Sequence, residues 1–214
     1  PWFSIPGTII ILLLVFTAVR SVYLHKGSAP EGRTAAYSNI DLLLRSADME
    51  VSLAETYSAM AAMYLYKLWE FDKAEEYFPK ALELNPNLAL THYHYSWALY
   101  LWGRMDEAIE AHKKVAELNP NWNWCLGRTY AKAGLIEEAE KILKEVEQAP
   151  LIPFRAIGRA ALNAILGHND EAFKMLNYEP HHAWAAYAAV MPDFSSLREN
   201  PRFEEFLERL KLPD

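Results

Sequence analysis

The chain has little that a chemist would look for first. Its 214 residues hold one cysteine, Cys125, so no internal disulfide can form. There is no G-x-S-x-G elbow, no phosphate-cradling G-x-x-x-x-G-K and no dinucleotide fingerprint. Gly7, Gly27 and Gly32 lack the strand–turn–helix setting that a phosphate loop needs. Seven histidines are present, but no two are four apart, and the lone thiol has no second thiol to share a metal with. His92 and His94, two apart on a helix, point away from each other. The expectation is therefore no enzyme, no metal and no cofactor. Positive charge is also short: 21 Lys and Arg stand against 28 Asp and Glu. The deficit lies after residue 40, so the body of the chain is acidic and phosphate backbones repel it. Nucleic acid is not an expected partner.

Charge of either sign is absent from Pro1 to Val19. Ile9 to Val19 is wholly Ile, Leu, Val, Phe, Thr and Ala. Carried past Arg20 to Leu24, the run is long enough to cross a hydrocarbon core of about 30 Å as a helix. Trp2, Phe3 and Tyr23 suit the two interfaces, and Arg20 can reach water along its own stem. No basic n-region precedes the run, which argues against a cleaved signal peptide. The sequence predicts a single-pass anchor over 1–25, with residues 5–24 in lipid. Arg20, Lys26 and Arg33 follow it, so the positive-inside rule places the remainder in the cytoplasm of a bacterial inner membrane. A basic cluster upstream of Pro1 would reverse that orientation to periplasmic. Residues 26–48 read as a linker, with a short helix over Ser38 to Ala47.

What the chain does have is repetition. "ALELNPN" at 81–87 returns as "VAELNPN" at 115–121, 34 residues later. Three longer stretches align around this interval: Tyr57 to Pro86, His92 to Pro120 and Asn123 to Pro150. Each reads as an apolar helix, a short turn, an amphipathic helix and then Pro. Gly103 and Gly134 suit the end of a first helix, and Asn85-Pro86 and Asn119-Pro120 the end of a second. Small residues mark the close crossings: Ala61, Ser96 and Gly127 on first helices, Ala74, Ala108 and Ala139 on second ones. Pair one carries one extra residue near Lys67 to Trp69. Pair three is about three residues short before Gly127. Pro79 predicts a kink inside the second helix of pair one. A looser fourth pair follows, with Gly167 at its turn and Ala172 at its small site.

These residues resemble the tetratricopeptide repeat, over roughly Leu53 to Leu176. The tail "MPDFSSLRENPRFEEFLERLKLP" resembles the end of repeat arrays in bacterial signalling proteins. The fold class implied is all-α: the anchor, then a solenoid of about four helix pairs over 49–214. Residues 178–214 would form its cap, with Asn200 capping a last helix and Phe203, Phe206, Leu207 and Leu210 forming its stripe. The resemblance also implies a peptide groove lined by first helices. Its positions fall on Ser58, Tyr66, Leu90, Tyr93, Trp97, Tyr100, Leu101, Trp124, Arg128, Lys132, Phe154 and Ile157. Of these, Tyr66, Tyr93, Trp97, Tyr100, Trp124, Arg128 and Lys132 are the candidate binding residues. The Lys and Asn that clamp a terminal carboxylate in chaperone-binding members are replaced by Ser58, Tyr93 and Trp124. The same rings could equally pack the solenoid. The expected work is protein–protein contact: a scaffold, assembly factor or structural subunit of a membrane complex, respiratory or photosynthetic, whose partners are its other subunits. The alternative is a ligand- or peptide-sensing array of a signalling protein.

Overall fold

A computed structural model of the chain describes residues 53–180, 183–189 and 191–210. The predicted anchor and linker, residues 1–48, lie outside these. Among the described residues there is no strand, and no helix is long and apolar enough to cross a membrane. The helices are α1 (Leu53–Met63), α2 (Phe71–Leu84), α3 (Ala89–Leu101), α4 (Met105–Leu118), α5 (Asn123–Lys132), α6 (Ile136–Glu147), α7 (Pro153–Leu166), α8 (Asn169–Leu176) and α9 (Pro201–Leu210). Three 3-10 segments join them, at Pro120–Trp122, Ala183–Ala189 and Pro192–Leu197. Two compact units divide the chain, the first ending at Ala98 and the second beginning at Leu99.

In the first unit α1 and α2 form an antiparallel pair. Ala61 and Ala74, both fully buried, let the backbones approach. Phe78 is fully buried and its ring lies 5.4 Å from Tyr95 on α3. Burying such a side chain stabilises by about 1.5–3 kcal/mol. The turn between α1 and α2 is irregular. Tyr64–Leu68 winds as a π-helix, and Trp69 then takes φ 57°, the left-handed region. A π turn holds one more residue than an α turn, so the extra residue seen in the sequence is absorbed here without shifting either helix. Pro79, where the sequence predicts a kink, lies inside α2 on its exposed side, and the helix continues beyond it to Leu84.

The second unit holds the regular turns. Gly103, Gly134 and Gly167 all adopt φ between 76° and 83°. At the middle one, Gly134 N–H donates to Ala131 O (3.1 Å) and Leu135 N–H to Tyr130 O (2.9 Å), the two bonds of a Schellman cap. Second helices end alike in both units. Asn85 and Asn119 are extended, with φ −144° and −145°. Each carboxamide accepts from the backbone two residues on, at 3.1 and 3.2 Å. The repeated "ELNPN" is thus an Asx turn that stops a helix before proline.

The missing residues of pair three shorten α5 to 10 residues, against 14 in α7, and Pro120–Trp122 fills the gap as a 3-10 turn. Gly127 on α5 lies where a Cβ would come 2.6 Å from Ile142 Cγ2 on α6 and 2.9 Å from Leu162 Cδ2 on α7. Only hydrogen fits at that crossing. After α8 the chain turns back over α7 in its two 3-10 segments, and Ser196 Oγ donates to Ala164 O at 3.3 Å. Asn200 Oδ1 then caps α9 by accepting from Arg202 N–H at 3.0 Å. Phe203 and Phe206 are buried, while Glu204, Glu205, Glu208 and Arg209 are exposed.

Candidate binding surface

The face expected to bind divides between the units. In the first, Tyr66, Tyr93 and Trp97 are half-buried. The π turn carries Tyr66 on to α3, where its hydroxyl stands 3.0 Å from His94 Nδ1 and its ring meets the imidazole edge-on at 5.4 Å. Tyr93 meets the same imidazole at 5.4 Å. Beneath them Thr91 Oγ1 donates to Ser58 Oγ at 2.7 Å. His94 is 2% exposed, and Nε2 finds no hydrogen-bond partner among the described residues. Burial pushes its pKa down to about 3, so the ring stays neutral.

In the second unit the fold brings Tyr100, Trp124 and Arg128 together and leaves Lys132 exposed. Arg128 is 1% exposed, with its guanidinium carbon 4.6 Å from the Tyr100 ring centroid and 5.2 Å from that of Trp124. Cation–π contact of this kind strengthens when water is excluded. Trp124 in turn lies flat against α7. A Cβ on Gly158 would come 2.4 Å from its indole, so glycine alone admits the ring.

These three side chains do not line an open groove. The tail covers them, because the 3-10 segment Pro192–Leu197 brings Asp193 into their midst. Tyr100 Oη donates to Asp193 Oδ1 at 2.9 Å, and Arg128 Nε lies 3.6 Å from the same oxygen. The Asp193 side chain is fully buried. Its other oxygen, Oδ2, and the Trp124 Nε1–H find no hydrogen-bond partner among the described residues. Burial, and then the negative charge of Asp193, hold the Tyr100 hydroxyl well above its ordinary pKa.

A histidine lies behind this cluster as well. Thr129 Oγ1 donates to Cys125 O at 3.0 Å, which leaves it to accept from His112 Nδ1 at 2.9 Å. Burial and the nearby Arg128 charge hold His112 well below its usual pKa. Burial also pushes the Cys125 thiol up to about 12, away from the thiolate form. Among the described residues no three His, Cys, Asp or Glu side chains gather as a metal site would require.

Asp193 and Gly158 are the residues that sequence reasoning missed. Asp193 lies in a tail read as a plain cap. The only sign at Gly158 is its place in the small-residue run "AIGRAA" of α7.

The tetratricopeptide-repeat family model matches residues 54–88 and 89–121. The chain carries tetratricopeptide repeats. A comparison with curated proteins finds no match. Among solved structures, PilW, a type IV pilus biogenesis factor, is 18% identical, with a TM-score of 0.54 over 97% of this chain and 94% of that one. A double mutant of MamA RS-1 is 15% identical, with a TM-score of 0.52 over 86% and 97%. A tetratricopeptide repeat protein from Parabacteroides merdae is 16% identical, with a TM-score of 0.52 over 94% and 78%. These likenesses show the fold.

Proposed function

We propose that the chain is a tetratricopeptide scaffold that works by protein–protein contact, as a structural or assembly subunit of a membrane complex, and that it is not an enzyme. The observation that carries this reading is the character of the repeat faces. Their polar and aromatic side chains are committed to packing and hydrogen bonds: Tyr66 on His94, Thr91 on Ser58, Arg128 on Tyr100. Tetratricopeptide repeats elsewhere bind proteins or peptides, and the fold shared with PilW and MamA supports the same use here.

Anchoring through residues 5–24 is part of the proposal and rests on the uncharged run alone. The inner-membrane location rests on the same run, and the cytoplasmic side of the repeats on Arg20, Lys26 and Arg33 at its carboxyl end. Extraction in mild detergent followed by mass spectrometry tests the whole reading. The expected result is a fixed stoichiometric complex that deletion of residues 1–24 loosens from the membrane. A full-length chain that runs alone as a monomer overturns it.

A further inference from the structure

We infer that the pocket around Arg128 is a carboxylate-recognition site for a peptide that carries an aspartate followed by an aromatic ring, and that the chain's own Asp193-Phe194 fills it in cis. This deepens the proposed function by naming the partner's chemistry, and it rests on that reading.

The side chains that meet there come from three separate helices and the tail. Tyr100 ends α3, Trp124 and Arg128 share one face of α5, and Gly158 of α7 makes the floor on which the indole rests. A cation and a hydroxyl donor thus converge on one carboxylate in a buried site, with the Trp124 ring packed over the cation. That is a receptor for one anionic group. The occupant fits it incompletely. Arg128 reaches the Asp193 carboxylate at only 3.6 Å through Nε, and Oδ2 has no hydrogen-bond partner among the described residues although its side chain is fully buried. Trp124 Nε1–H, equally buried, has none either. A buried carboxylate with one oxygen unsatisfied is held well below the strength its receptor could supply. A carboxylate free to shift can take both an Arg128 N–H and the Tyr100 hydroxyl without that defect.

The tail is also built to let go. Ala183–Ala189 and Pro192–Leu197 are 3-10 segments, whose i to i+3 bonds have poorer geometry than those of an α-helix, and Met191 N–H donates to Tyr187 O at 2.9 Å where they meet. Its carboxylate is followed directly by Phe194, fully buried and 6.2 Å from Phe203. The bound sequence is therefore an acidic residue with an aromatic neighbour, on a short extended-to-turn segment. A tethered occupant acts at an effective concentration of about millimolar, so a partner peptide must outcompete it.

The test uses the full chain and a blocked synthetic heptapeptide, Met-Pro-Asp-Phe-Ser-Ser-Leu, with an Asn-for-Asp version as its control. The variant Asp193→Asn keeps the shape of the tail and removes its charge. It should bind the Asp peptide at least tenfold more tightly than the unaltered chain does, and the Asn peptide at least tenfold more weakly than the Asp peptide. In the unaltered chain a saturating Asp peptide should speed hydrogen exchange at the Met191 and Phe194 amides, which bond within the tail, and leave α5 and α7 protected. Equal binding of the two peptides, or no binding with unchanged exchange, overturns the inference. So does loss of cooperative melting in Asp193→Asn, which would make the carboxylate a pillar of the fold. Dimerisation of that variant in place of peptide uptake makes a second copy the occupant and equally overturns it. Peptide binding without any copurifying complex would sink the scaffold reading and leave this site standing.

Discussion

Pair one and pair three depart from the 34-residue repeat in opposite directions. Pair one has a residue too many, and pair three has about three too few. The surplus is taken up by a π turn at the end of α1, and the deficit by a short α5 behind a 3-10 turn. Yet the crossings are alike. Ala74 in α2 and Ala139 in α6 are both fully buried against their partner helices. What the chain keeps is the close approach at small residues, and what it lets vary is the path between approaches. Packing density in the interior punishes a changed crossing, while a turn at the edge can hold another residue at little cost. The family model sees the matter differently. It matches the window with the surplus and not the one with the deficit. A side-chain pattern survives one insertion near a turn more easily than loss of most of a helical turn before the small site.

The largest effect should come from testing the crossings themselves. Ala74→Trp and Ala139→Trp each force a ring into a contact sized for a methyl group, at a cost of about 3 kcal/mol or more. Urea melts should show similar losses for both. If one is tolerated, that pair has no tight crossing and the comparison fails there.

Acid sharpens the comparison next. Pairs one and three each set a hydroxyl on a buried histidine of the pair between them: Tyr66 of the first on His94, Thr129 of the third on His112. An unfolded imidazole takes its proton near pH 6.5. Folded His94 takes one only near pH 3, and His112 is lowered in the same direction. Below pH 6.5 the unfolded chain therefore binds more protons, and folding weakens as pH falls. Stability should be full above that pH and decline by about 1.4 kcal/mol per pH unit for each ring as the pH drops towards the folded value. Between pH 7 and 5 this amounts to about 2 kcal/mol at His94. His94→Gln and His112→Gln should each flatten the decline. If neither does, the rings are not held neutral.

Much of this was legible in advance because it is periodic. The 34-residue interval, the glycine turns and the Asn-Pro stops are local patterns, and local chemistry produces them. The surplus residue near Lys67 to Trp69 could be counted, but that it would wind as a π turn and carry Tyr66 to His94 could not. The tail was read as a cap because its apolar stripe is visible. Its contact with the repeats was not, since Tyr100 and Asp193 lie 93 residues apart and no spacing rule joins them. Nor does Gly158 announce itself, because the ring that requires it sits on another helix. The predicted anchor lies outside the described residues.

A smaller effect separates the two kinds of turn. Gly134 stands at φ 81° with nothing within 4 Å of where its Cβ would be. Gly134→Ala should therefore cost about 1–2 kcal/mol through backbone strain alone, with no clash to add to it. A loss above about 3 kcal/mol, or none, would show that something other than the left-handed backbone governs that turn.

The smallest effect belongs to the first turn, where Trp69 already bears that strain. Its φ of 57° carries the same penalty that Gly134→Ala would introduce, so Trp69→Gly removes about 1–2 kcal/mol of strain. Two losses oppose the gain. The indole meets Phe71 edge-on at 5.9 Å, a contact worth about 0.5–1.5 kcal/mol. Glycine also frees the unfolded chain. Trp69 is 54% exposed, so no core packing is lost. The sum should lie within about 0.5 kcal/mol of zero, an error-bar change in a urea melt. Stabilisation by more than about 1 kcal/mol would mean that the π turn is strained beyond its one residue. A loss of that size would mean that the indole, and not the surplus residue, holds the turn in place. In either case the surplus would no longer be absorbed at small cost, and the first and third pairs would differ in energy as well as in path.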